Sequence, residues 1–375
     1  MKSLWGAGFL AMSVVVLISG CTTSEGQTVQ KDPVQTAPSS SAPTSSAAPA
    51  SSEPLACGDL ADLAQVDQAL QSPTRPASFP QVWLAKRGYS ELTTYAVDAA
   101  GGITCAWVPE DDRPDSPWLQ VAVLPHAPAA ISPFLYGDGP TDETRTIGGR
   151  VVTAGCGTPG CGVIAIVNGT WIDIRLNIPG LGTTGTPLGS IDTIFANASP
   201  AMSAVFAAID NATPGQLAWP TTSTFTQDKQ ASLTTGTEVC ESFLPAARLG
   251  AVIGDPTVQW KAWEEPAVLA GISDLASTRA GIVKCTAMGM KSVEMDLAPG
   301  NAWMAGDIGT NPRESVTFEK TLLPGQIDTE GTFSDCADRT NRPCTAVFSI
   351  GSTTVEVSGA DRSLAVAEAI TARAR

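Results

Sequence analysis

The stretch Cys161 to Ile174, CGVIAIVNGTWIDI, reads as a strand, a tight turn and a second strand, opened by a cysteine. The same order returns at Cys344 to Val357, CTAVFSIGSTTVEV, with the cysteine, the apolar run, the turn glycine and the alternating second strand in place. A hairpin that recurs in this way predicts a duplicated architecture built on paired strands.

The cysteines extend the echo over most of the chain. Nine are present. Cys21 stands apart, and the other eight fall into two sets, Cys57, Cys105, Cys156, Cys161 and Cys240, Cys285, Cys336, Cys344. The second set repeats the first at an offset of 180 to 183 residues. An even number of cysteines in an exported chain implies disulfides. Four per half allow three connectivities. The pairing we favour is Cys57 with Cys105, Cys156 with Cys161, Cys240 with Cys285 and Cys336 with Cys344, so that close pairs clip the entry to the hairpin and distant pairs tie the first helix to a central strand. No C-x-x-C is present for redox chemistry, and an exported chain with paired thiols and a single histidine does not suit zinc.

The ends give an address. Met1 and Lys2 precede an apolar run from Leu4 to Ser19, the pattern of a secretory leader over residues 1–20. The run ends in Leu17-Ile18-Ser19-Gly20-Cys21, which resembles the lipobox of bacterial lipoproteins. The resemblance implies that Cys21 becomes the first residue of the mature chain and carries a diacylglyceryl (palmitate-type) anchor on the outer face of the cell membrane. Two acyl chains suffice for stable anchoring. Residues 21–54 then form a tether of Ser, Thr, Ala and Pro, too poor in large apolar residues to fold.

Within residues 55–212 and 237–375 the elements come in one order, with 213–236 as the linker. A helix carries Leu60, Leu63, Val66 and Leu70 in the first half and Leu244, Leu249, Val252 and Ile253 in the second. Strands follow at Ile103 to Val108 and Trp118 to Leu124, and at Ile282 to Thr286 and Val293 to Leu297. Short passages come next, around Ala129 to Tyr136 and Asn301 to Asp307. Arg145 to Val152 and Glu314 to Thr321 then lead to the third cysteine of each set. A closing helix follows each hairpin, at Met202, Val205, Phe206 and Ile209, with Ser199 as N-cap and Pro200 at the first helical position, and at Leu364, Val366 and Ile370. The expected fold is α+β, two tandem homologous domains, each an antiparallel sheet with N- and C-terminal helices. The first half alone has an insertion, Ile178 to Ala198, the place where recognition is expected.

The lipobox, the Ser/Pro/Thr tether, Cys105-Ala-Trp107, the Gly-Gly-Arg strand at 148–150 and the Cys-led hairpin together resemble the small cell-envelope lipoproteins of actinobacteria. More loosely, they are similar to the extracellular sensor domains of mycobacterial serine/threonine kinases, with a PsbP-like fold. The second half departs from the pattern, with Thr286 and Ala287 after Cys285 and no Gly-Gly-Arg.

Catalytic patterns are sparse. His126 is the one histidine, and neither G-x-S-x-G nor S-x-x-K occurs. The paired acids Asp111-Asp112 and Glu264-Glu265 read as a solvated turn and a helix start. Trp260 and Trp263, beside Glu264, suggest an exposed aromatic surface. A formal charge of −15 excludes nucleic acid as a partner. The sequence thus points to a non-enzymatic binding or scaffold protein of the envelope, without cofactor or metal, whose ligand is an envelope protein, lipid or glycan. The alternative is an envelope hydrolase with carboxylates in the inter-domain cleft.

Overall fold

A computed structural model describes residues 53–87, 92–113, 115–128, 143–157, 160–178, 188–223, 237–262, 271–310, 318–327, 330–336, 344–359 and 362–373. The leader, Cys21, the tether up to residue 52 and Glu264-Glu265 lie outside them.

The first half opens with two short helices, α1 (Cys57–Leu60) and α2 (Leu63–Leu70), rather than one. Asp62 interrupts the run because its carboxylate caps α2, accepting from the Gln65 N–H at 2.8 Å while Gln65 Oε1 accepts from the Asp62 N–H. Leu63, placed in the core stripe by its spacing, is left exposed. Then come β1 (Thr74–Ala77), α3 (Phe79–Arg87), a 3-10 turn (Leu92–Tyr95), α4 (Ala96–Ala99), β2 (Ile103–Pro109) and β3 (Trp118–Leu124). Arg145 to Val152 is not one strand but parts of two, β4 (Glu143–Ile147) and β5 (Arg150–Gly157). Gly148 and Gly149 make the turn between them at φ 58° and 76°, a left-handed geometry in which glycine is unstrained. The signature stretch forms β6 (Gly160–Val167) and β7 (Thr170–Asn177).

The helix α5 (Ile191–Asn211) corrects a second expectation. It starts nine residues before Pro200, capped by Ser190 Oγ accepting from the Thr193 N–H, and so takes in the end of the supposed insertion. An interior proline costs about 3 kcal/mol. The stripe Ile194, Phe195, Ala198, Ala201, Met202, Val205, Phe206 and Ile209, all buried, outweighs it.

The second half carries α6 (Glu238–Phe243), α7 (Ala246–Ile253), β8 (Gln259–Ala262), α8 (Ile272–Ala280), β9 (Val283–Met288), β10 (Val293–Ala298), α9 (Trp303–Thr310), β11 (Glu319–Thr321), β12 (Thr332–Ser334), β13 (Ala346–Ile350), β14 (Thr353–Ser358) and α10 (Ser363–Thr371). Gly254 at φ 73° ends α7.

Among the described residues all pairing is antiparallel, in two seven-stranded sheets. The first runs β1-β2-β3-β7-β6-β5-β4, and the second, read from its other edge, β8-β9-β10-β14-β13-β12-β11. Under the cysteine offset these are the same order. The four disulfides join Cys57 to Cys105, Cys156 to Cys161, Cys240 to Cys285 and Cys336 to Cys344, the pairing favoured on spacing, and each lies within one half.

Each sheet has an outer and an inner face. The outer face of the first, with Val121, Val163, Ile172 and Ile174, packs on α1, α2 and α5. That of the second, with Met295, Leu297, Phe348, Val355 and Val357, packs on α6, α7 and α10. The inner faces share a third cluster: Leu124, Ile164 and Trp171 from one sheet, Ala298 and Val347 from the other, and the 3-10 turn, α4, α8 and α9 between them. Ser51–Arg375 is accordingly one compact unit. The linker does not begin as a free segment. Trp219 is buried and donates its indole N–H to the Leu55 carbonyl at 2.7 Å, and Ser223 Oγ donates to the Ala280 carbonyl at 3.2 Å. No helix among the described residues is long and apolar enough to cross a membrane.

Candidate functional site

Two hairpin turns of the first sheet, Gly148-Gly149 and Asn168-Gly169, meet the C-terminal end of α5. All four residues have positive φ. Asp210, in the last turn of α5, is an acid where the helix already presents a negative end, a position that favours a basic partner. Arg150 supplies it, pairing through Nη2 with Asp210 Oδ2, and Asn168 Nδ2 lies 3.3 Å from Asp210 Oδ1. Beside this pair is an open depression of about 350 Å³, lined by Gly148, Gly149, Arg150, Ser203, Phe206, Ala207 and Asp210. A Cβ on Gly148 would lie 2.7 Å from Ser203 Oγ, so glycine there lets the turn sit against the helix. The depression offers a cation, a carboxylate, a hydroxyl and a phenyl face, in a volume suited to a small polar group. Ser203 is the one hydroxyl in this lining, and the lining holds neither histidine nor lysine.

A second constellation lies on the inner face of the second sheet. Lys284, Asp296 and Glu356 are register neighbours across β9, β10 and β14, opposite the core positions Cys285, Leu297 and Val355. Glu356 is buried, and Lys284 and Asp296 are half-buried. Residues directly opposite on antiparallel strands have Cβ atoms about 5 Å apart. Asp296 is legible in the sequence as one position of an alternating strand, but its facing acid comes from a strand 60 residues on, and only the register joins them. The equivalent of Glu356 in the first sheet is Asp173, also buried, which accepts from Arg175 Nε and Nη2 at 2.9 Å each.

The residues singled out in the sequence are scattered. Asp111 and Arg113 pair at 3.1 Å in an exposed turn. His126 is an exposed loop residue after β3. Trp260 is not a surface group. It is buried, with its indole N–H donating to the Leu244 carbonyl at 2.6 Å, because β8 lays it against the α6–α7 junction. Trp263 lies outside the described residues. Trp303 is an exposed tryptophan, set edge-on to Tyr95 with ring centroids 5.5 Å apart. Ile178 and Leu188 are buried, Ser190 caps α5, and residues 179–187 lie outside the described residues. Asp335, Cys336 and Cys344 converge, but both sulfurs are spent in one disulfide and offer no thiolate to a metal.

No known protein family, curated protein or solved structure matches the chain.

Proposed function

We propose that the chain is a lipid-anchored protein of the outer face of an actinobacterial cell membrane, held through Cys21. Two homologous PsbP-like domains, residues 55–212 and 237–375, serve it in binding or scaffolding rather than in catalysis. Support for the address comes from Leu17 to Cys21 and from four disulfides, which persist in oxidising compartments. The observation that carries the role is the closure of both inner faces onto one shared apolar core. The depression beside Arg150 and Asp210 lies outside that core and is a polar surface open to an envelope glycan, lipid headgroup or protein segment.

The test is binding of the mature chain to purified cell-wall glycan and to envelope-lipid vesicles, comparing wild type with Arg150→Ala and Asp210→Asn. Binding that weakens about tenfold or more in both variants supports the reading, while unchanged binding removes the depression from it. For the anchor, Cys21→Ala is expected to release the protein from the membrane fraction and abolish the lipid mass increment.

One observation favours a second reading, an envelope hydrolase: Asp296 and Glu356 are register partners on one face of the second sheet, which brings together two carboxylates, the number a glycosidase uses. Glycan cleavage by wild type that is lost in both Asp296→Asn and Glu356→Gln, with the fold retained, would establish it in place of the first.

A further inference from the structure

The contact between the halves is built like the interface of a two-fold dimer. The helices α4 and α8 pack on each other, and they are the same element of the two halves. The offset of 180 that relates Cys105 to Cys285 relates Ala96 to Ala276 and Ala100 to Ala280. Ala96, Ala276 and Ala280 are fully buried, and Ala100 packs against the same cluster. An element meeting its own counterpart across an interface is the mark of an isologous contact. The packing is also reciprocal. The helix α8 lies against β3 and β7 of the other half, and the 3-10 turn of the first half lies against β10 of the second. Arg279 of α8 donates to the carbonyls of Pro125 and His126 at the end of β3. Without its partner, the first half would expose Leu124, Ile164 and Trp171, an apolar patch that a soluble unit does not leave open. None of the four disulfides crosses the boundary.

We infer that the inner face of each half is a docking surface for the complementary half, sufficient without the covalent connection through residues 224–236, and that a second copy of this chain can supply that half. The covalent connection between the halves raises their effective concentration and is not what makes them fit. The inference concerns the inner faces and is independent of any ligand at Arg150 and Asp210.

The experiment uses the full mature chain with a protease site inserted within residues 224–236. Isotopically heavy and light preparations are cut, mixed, dissociated in urea with disulfides intact, and returned to buffer. Native mass spectrometry is expected to show one-to-one complexes of the two complementary halves, including heavy with light in statistical proportion. Halves that separate into folded monomers, or that fail to recombine while uncut protein refolds under the same conditions, would overturn the inference. Ala276→Arg, which drives a charge into the α4–α8 contact, is expected to abolish recombination of the cut protein while the uncut variant keeps its far-UV circular dichroism. A cut Ala276→Arg protein that recombines like wild type would also overturn it.

Discussion

At the scale of single residues, two carboxylates respond to pH in opposite directions. Asp98, in α4, accepts from the Thr104 N–H at 2.8 Å and from the Thr104 hydroxyl at 2.7 Å. Burial outweighs those bonds and pushes its carboxyl up to about 6 from 3.8. A raised folded value means that the fold favours the protonated acid. The penalty for ionising it is absent below about pH 3.8 and complete above about pH 6, where it amounts to about 3 kcal/mol. Asp98→Asn keeps an acceptor for the amide and lets the Thr104 hydroxyl reverse. It is therefore expected to stabilise the protein at pH 8 and to lose most of that gain at pH 4, as read by urea unfolding at the two values. Asp255 is the converse. The Thr257 hydroxyl at 2.6 Å, the Thr257 N–H and the Lys291 N–H hold its carboxyl below the usual range. It stabilises at neutral pH, and that stabilisation is lost as pH falls through the folded value. Asp255→Asn turns an amide N–H towards the Lys291 N–H, so it should destabilise at pH 7 by a margin that narrows in acid. Neither role is visible in the sequence. The same holds for Trp260: a tryptophan beside acids reads as surface until the strand that carries it is placed against Leu244.

Among the elements, legibility follows period and spacing. The strands β2, β3 and β10 and the signature hairpin stand where their apolar patterns put them: β10 alternates against one buried face, and β3 is a continuous apolar run buried on both. The start of α5 was obscured by Pro200, a local signal overridden by a long-range one, the eight-residue stripe buried against the first sheet. Ser190→Ala is therefore expected to cost about 1 kcal/mol, whereas Ser199→Ala should cost little. A deletion of residues 178–198 would remove the first two turns of α5 along with the loop, so any loss of binding it caused would report helix damage. Deleting 179–187 alone separates the two. The disulfides differ by loop length. In the chain-entropy model, removing Cys57–Cys105, which spans 48 residues, costs about 4 kcal/mol, and removing Cys156–Cys161, which spans 5, about 2 kcal/mol. Paired Ala substitutions compared by thermal and chemical unfolding check the order.

For the whole molecule, the duplication was legible because eight cysteines share nearly one offset, and two sheets of identical strand order are its structural counterpart. What could not be read is how the two copies meet. The residues responsible, Ala96, Val97, Ala99, Ala276 and Ala280, are small and carry no motif. The divergence between the copies also becomes intelligible there. Trp171 fills the inner face of the first sheet, while its counterpart Thr354 accepts from the Ala305 N–H at 3.2 Å and donates to the Asn301 carbonyl at 2.7 Å, fastening α9 to the second. A binding surface formed between the halves would have to displace this packing.

The most direct test of the shared inner core is hydrogen–deuterium exchange of the uncut mature chain, followed at Leu92–Ala99 and Ile272–Ala280 in wild type and Ala276→Arg. Both segments are expected to be protected in wild type and to lose protection together in the variant, while the β6–β7 hairpin holds its own. Rapid exchange of either segment in wild type, or loss confined to Ile272–Ala280 in the variant, would contradict it.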